Sequence, residues 1–359
     1  MVRVRGSRFI AAMLVLVVAG LVVRAKLWAG QPPPSERYPY KSAQFTQFVS
    51  DSYGYAGSGN AQEFYQWFDG AARNSPVRFP GYEHITLETL LKGRGSAMAS
   101  VRDKDQLATQ EQNLGAHLHK LIKNTIPRFS LDRGFEFTNT VKYGERQCFL
   151  QAVLIAGLLQ EAGRDAGVVM VYRNIKGEPS NNGHAVTLLK LANGRDILVD
   201  ASEPEPFPTH RGLMVSQDGF RYVEPVFEPR SQRIQAYRLT SGKGQITPSQ
   251  VRPLDVQFLR SQFWYYRGER TPGALLSPRK TASGLARSAR NLEQSLRYCP
   301  GNPLAAYMLG RAYLLQGKRG QAAATLAQAK ALYGRYGWTP PGPAQYLAEA
   351  RKPAPGRAG

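Results

Sequence analysis

The hydrophobic period of the chain changes near its middle. From Leu107 to Ile126 the apolar residues Leu107, Leu114, Leu118, Leu121 and Ile122 recur at helical spacing, and Pro127 ends the run. Residues 148–162 are apolar on nearly every side, which predicts a helix buried all round, with Gly163 as its stop. Short β-type runs follow: GVVMVY at 167–172, a strand opening at His184 (HAVTLLKL), and RDILVD at 195–200, with an Asn193-Gly194 turn between the last two. A helix followed by antiparallel strands is an α+β order.

The flanks read less sharply. Residues 30–42 are Pro-rich and predict a stiff extended linker. Between 43 and 106 aromatic residues cluster around a Gly-Ser turn region at 54–60, which predicts short helices and loops with no chemistry. Residues 201–283 carry weak strand signals at 219–227 and 233–239, then an aromatic stretch, 256–266, that has no clear period and is expected to pack back on the core. Residues 284–336 are Ala-, Leu- and Arg-rich with helical periodicity. There Leu309-Gly310, Tyr313, Ala322, Leu326 and Ala329 fall at the offsets of a tetratricopeptide repeat. The segment resembles about one and a half repeats, fewer than the roughly three that a free-standing array needs. A helical hairpin packed on the preceding domain is the alternative. The tail, 340–359, is Pro- and Gly-rich and predicts disorder.

The N-terminus changes the picture. Arg3, Arg5 and Arg8 precede an unbroken apolar run from Phe9 to Val23, followed by Arg24 and Lys26. This is an export pattern, and the lack of a clean cleavage site after the run favours a retained signal anchor over residues 1–29. The positive-inside rule then leaves the N-terminus cytoplasmic and the main domain periplasmic or extracellular. Lys and Arg outnumber Asp and Glu by 47 to 26, a net charge of +21. That field suits anionic lipid or acidic polysaccharide, while no nucleic-acid-binding motif accompanies it. An apolar fraction of 42% with 18 Tyr and 15 Phe provides for a real core rather than a disordered chain.

Only two cysteines occur, Cys148 and Cys299, which excludes a disulfide framework and a cysteine-rich zinc site. Cys148 stands where a polar approach, 137–147, gives way to the buried helix, so its sulfur meets the positive end of the helix dipole. His184 supplies an imidazole to move the proton, and Asp200 a carboxylate to orient the ring. A two-residue turn at Asn193-Gly194 would pair Ala192 with Arg195. That register sets Asp200 opposite Thr187, on the other side of the sheet from His184. The triad therefore requires a three-residue loop or a bulge.

YGERQCFLQAVLIAGLLQEAGRDAGVVMVYRN, then GHAVTLLKL and GRDILVDAS, resembles the transglutaminase-like, papain-type superfamily. The resemblance covers roughly 105–205 within a domain spanning 43–270. It implies Cys148 as nucleophile, His184 as general base and acid, Asp200 as orienting carboxylate, and an α+β core with a central helix packed on an antiparallel sheet. Two departures are present: Gly144 stands further from Cys148 than is usual, and Val186 stands where an aromatic is normal. The implied activity is a thiol-dependent amide-bond hydrolase or acyltransferase working through a thioester on a protein, peptide or other amide-bearing envelope polymer. A catalytically silent scaffold for an envelope polysaccharide or secretion system, binding a protein partner through the repeat-like segment, is the alternative.

Acyl chemistry also needs an oxyanion hole. The Cys148 amide is one donor, and Gln112, Asn139, Tyr143 and Gln147 are candidates for a second. No cofactor and no metal site are expected. His117 and His119 fall on different faces of their helix, and His84 and His210 stand alone. Cys299 reads as an unpaired thiol outside the thiol domain.

Overall fold

The computed structural model describes residues 37–353, with Lys243 and the side chains of Asn181 and Asn182 excepted. The expected anchor and the first part of the linker lie outside the described residues. Among the described residues no helix is long and apolar enough to cross a membrane.

The molecule is mixed α+β and is organised around one buried helix. The described chain opens with the helices α1 (Ala43–Ala56), α2 (Ala61–Arg73), α3 (Leu87–Ala99) and α4 (Lys104–Thr125). A two-residue strand β1 (Arg128–Phe129), a short helix α5 (Phe137–Tyr143) and strand β2 (Glu145–Arg146), parallel to β1, lead into α6 (Cys148–Glu161). In α6 all residues from Cys148 to Gln160 are buried, as its continuous apolar sequence predicts. The end of the Pro-rich segment is not a free linker. Tyr38 and Tyr40 are buried against α6, where the Tyr38 amide donates to Gln160 Oε1 and the Tyr40 amide to the Gly157 carbonyl.

The strands are β3 (Asp165–Arg173), β4 (Pro179–Lys190), β5 (Asp196–Val199), β6 (Gly212–Ser216), β7 (Phe220–Phe227), β8 (Ile234–Leu239) and β9 (Gln245–Ile246). They pair in the order β5-β4-β3-β6-β7-β8-β9, all antiparallel. The sheet curls until β5 meets β8 through Asp196 and Ile234, a barrel closure that the sequence reading did not anticipate. Closure explains why β3 is apolar without alternation. Val169 and Val171 join one buried cluster with Val186, Leu188, Leu213 and Val223, while Val168 and Met170 join the cluster around α6. At the seam Asp196 is buried between Lys190 Nζ, at 3.1 Å, and the Tyr237 hydroxyl, at 2.6 Å. Burial first, against the opposing pull of these partners, pushes its carboxyl up to about 6.

The β4–β5 connection has the length that the triad demands. Thr187 pairs with Val199 and Leu189 with Ile197, and the Leu191 amide donates to the Arg195 carbonyl at 2.7 Å. The loop is therefore Ala192-Asn193-Gly194, three residues, with Gly194 at φ +80° where other residues are strained. His184 and Asp200 consequently leave their strands on the same side.

The aromatic stretch is helix α7 (Val256–Glu269), and it packs on α8 (Ala282–Tyr298). Then come α9 (Pro303–Leu315), α10 (Arg319–Tyr336) and α11 (Pro341–Arg351). Within the segment predicted to be disordered, Pro341–Arg351 is thus a helix. Its Pro residues sit at the first turn, where no amide is needed, and Leu347 and Ala350 are buried against Ala322 and Leu326. The C-terminal helices meet the sheet through an aromatic cluster of Tyr172, Tyr222, Tyr333 and Trp338.

Close approach of α9 and α10 depends on Gly310. A Cβ there would lie 2.6 Å from Leu326 Cγ and 3.2 Å from the Leu326 amide. Gly310→Ala is expected to lower the unfolding free energy by about 1–3 kcal/mol. Gly93→Ala, inside α3 with open space around it, should raise it by about 0.5–1 kcal/mol. Urea midpoints of the two variants check both signs.

Candidate active site

The N-terminus of α6, the β4–β5 hairpin and α7 converge on Cys148. The sulfur sits in the first turn of α6, where backbone amides lack helical partners and the dipole is positive. Cys148 is 3% exposed, and its Sγ lies 3.6 Å from the Gly183 carbonyl. The same carbonyl accepts a 2.6 Å bond from the Tyr266 hydroxyl of α7.

His184 follows Gly183 directly. It lies within β4 rather than at its start, because residues from Pro179 onward join the strand after a bulge between Val171 and Arg173 on β3. Its Nε2 is 2.7 Å from Asp200 Oδ2, and its ring lines the same cleft as Cys148. With Nε2 committed to the carboxylate, Nδ1 is the ring nitrogen left for another partner. Cys148, His184 and Asp200 are thus brought to one site.

Asp200 stands just past β5 and is 1% exposed. Its Oδ1 accepts the Ser202 amide at 2.8 Å. Gln151, one turn along α6 from Cys148, donates to Ser202 Oγ at 2.6 Å and lies 3.5 Å from Asp200 Oδ1; its own carbonyl takes the Arg146 guanidinium at 3.0 Å. A polar residue in an otherwise apolar helix was the available sequence signal for Gln151. His210 carried no such signal, and the reading that it stands alone is corrected here. It is 1% exposed, and its Nε2 lies 3.1 Å from the same Asp200 Oδ2 that holds His184. It comes from a Pro-containing loop ahead of β6, which only the tertiary fold brings alongside.

The electrostatics follow from these contacts. Burial pushes His184 towards its neutral form, but the Asp200 carboxylate first, and then the neighbouring Cys148 sulfur, outweigh it and raise its pKa well above 6.5. Burial alone would raise Asp200, and the two histidines overcome it, holding the carboxyl far below its ordinary 3.8. Among the described residues His184, Asp200 and His210 are also the one group with metal-ligand spacing, their donor atoms lying within 4.8 Å of one another. Two ligands on a tetrahedral zinc ion stand about 3.3 Å apart, and the 2.7 Å His184–Asp200 contact is the shorter distance of a hydrogen bond.

A cleft of about 310 Å³ opens onto the sulfur between Phe129 and Leu131 on one rim and Tyr265 and Tyr266 on the other. The four oxyanion candidates separate here. Gln147 lines the cleft, is 1% exposed, and has an amide oxygen with no partner. Gln112 is bound by Arg233, Asn139 donates to the Arg133 carbonyl, and Tyr143 packs under Arg133. His117 stacks on Phe79 beside a separate cavity of about 340 Å³, and His119 contacts the Glu203 carbonyl. Those two histidines therefore do diverge. Cys299 is buried at the end of α8, and burial pushes its thiol up to about 12.

The ion pair has a pH window. The contribution of Asp200 is complete above its unfolded value of 3.8 and is lost as pH falls through its depressed folded value. The contribution of His184 is complete below 6.5 and is lost as pH climbs through its elevated folded value. The gap in unfolding free energy between wild type and Asp200→Asn should be widest, about 3–5 kcal/mol, between about pH 4 and 6.5. It should narrow in strong acid and in alkali. Urea unfolding across the pH range measures it, and a flat gap contradicts the pairing.

No family model, curated protein or solved structure matches the chain.

Proposed function

We propose that the protein is a thiol-dependent amide-bond hydrolase or acyltransferase with a transglutaminase-like core, acting on an amide-bearing substrate in the cell envelope. The observation that carries the reading is the chain Cys148–His184–Asp200 at the tip of a buried helix, open to a cleft. A helix dipole, an imidazole and an orienting carboxylate are what a nucleophilic thiol requires. The arginine-flanked apolar run from Phe9 to Val23 supports export and anchoring.

In the first half-reaction the Cys148 thiolate adds to the amide carbon. The Cys148 backbone N–H and the Nε2 amide group of Gln147 are the proposed donors to the oxygen that becomes negative. The C–N bond breaks as the proton on His184 Nδ1 passes to the leaving nitrogen, and a thioester remains on Cys148. In the second half, water or an amine attacks the thioester and gives its proton to His184. The C–S bond then breaks and releases an acid or a new amide. Asp200 keeps its charge throughout and holds the ring, and His210 holds Asp200. Hydrolysis and transfer differ only in the second nucleophile.

The 3% exposure of Cys148 favours one rival, a silent scaffold in which the sulfur is packing. Iodoacetamide at neutral pH separates the two, with Cys299 as internal reference. On the enzyme reading Cys148 is alkylated about 100-fold faster than Cys299 or more, and His184→Ala slows it at least about tenfold. Peptide mass analysis over time reads both rates. Equal rates at the two cysteines would leave the scaffold.

A further inference from the structure

A further cavity, of about 330 Å³, lies where β3, β6, β7 and β8 come together. It is lined by Arg173, Lys176, Arg211 and Arg238, with Glu224 as its one carboxylate. Glu224 is divided between Arg238, at 3.1 Å, and Arg173, at 3.6 Å. Among the described residues Lys176 and Arg211 have no ion-pair partner, and the buried Nε of Arg173 has no acceptor at all. An unpaired buried donor is costly, and uncompensated like charges add to that cost. An anion in the cavity relieves both.

The backbone that carries two of the cations is fixed. Asn174 Oδ1 accepts the amides of Lys176 and Glu178, each at 3.0 Å, which fixes the turn carrying Lys176. The Arg211 amide donates to the Arg173 and Asn174 carbonyls. Both segments run straight into the thiol site: Arg211 follows His210, and Gly177 is three residues from Ser180 of the cleft wall. Three residues of chain span at most about 10 Å, so the linings of the two cavities come within that distance at this turn.

We infer that this cavity binds an oxyanion, either a phosphate or a carboxylate. Resting on the thiol-acyl reading above, the group is carried by the same polymer whose amide meets Cys148, which makes the substrate class polyanionic. Guanidinium groups suit both oxyanions because their paired N–H donors match the two oxygens.

The test uses the full chain with Cys148→Ala, so that binding is read without chemistry. Inorganic pyrophosphate and tri-galacturonic acid are titrated separately by calorimetry at about 50 mM salt, where screening is modest. One site is expected for at least one probe, and the probe that binds identifies phosphate or carboxylate. Arg211→Gln with Lys176→Gln, both exposed positions, should weaken binding roughly tenfold or more. Arg287→Gln with Arg290→Gln, exposed on α8, removes equal charge elsewhere and should leave the affinity unchanged. Absence of binding by both probes, or equal loss in the α8 pair, overturns the site. Binding that persists while Cys148 of the wild-type thiol proves unreactive keeps the oxyanion site and removes only its link to acyl chemistry.

Discussion

A fully buried carboxylate shared by two imidazoles is the interaction on which the site depends. Asp200 loses nearly all its hydration, and an isolated charge so placed would neutralise itself. Two histidine N–H groups on Oδ2 and a backbone amide on Oδ1 keep it ionised. That fixed charge in turn holds the His184 ring by Nε2 and leaves Nδ1 for the proposed proton transfer. Every step of the proposed chemistry uses this orientation.

The rest of the fold serves to bring the parts together. Barrel closure at Asp196 and Ile234 gives β4 and β5 a rigid frame, and α6, buried all round, sets Cys148 at the end of that frame. Gly183 links three elements, since its carbonyl takes both the thiol of α6 and the Tyr266 hydroxyl of α7. Behind them Arg146, Gln151 and Ser202 tie the helix start to the loop after Asp200. Precise placement of this kind comes from packed helices and strands rather than from free loops.

Much of this was legible in the sequence because it is local. The largely apolar run 148–162, its Gly163 stop and the β-type runs around it depend on residues a few positions apart, and the α4 helix, α6, β3 and β5 follow them closely. Hairpin parity was legible too: the requirement for a three-residue loop or a bulge came from period-two alternation alone, and the Ala192-Asn193-Gly194 loop meets it in the first way. What was hidden is non-local. His210 reaches Asp200 only through the pairing of β6 with β3, and barrel closure joins β5 to a strand far along the chain. Strands β6 and β9 are short and leave little pattern. Tyr38 and Tyr40 read as linker because their neighbours are prolines, and α11 read as disordered for the same reason. In both places tertiary burial of a few large side chains overrides local composition.

The central claim is that sulfur and imidazole share a proton. Nitrogen-edited NMR of the His184 ring, titrated in wild type and in Cys148→Ala, tests it most directly. If the thiolate helps to hold the proton, the His184 titration moves to lower pH when the sulfur is removed. A His184 curve that is the same with and without Cys148 would show two side chains that do not communicate.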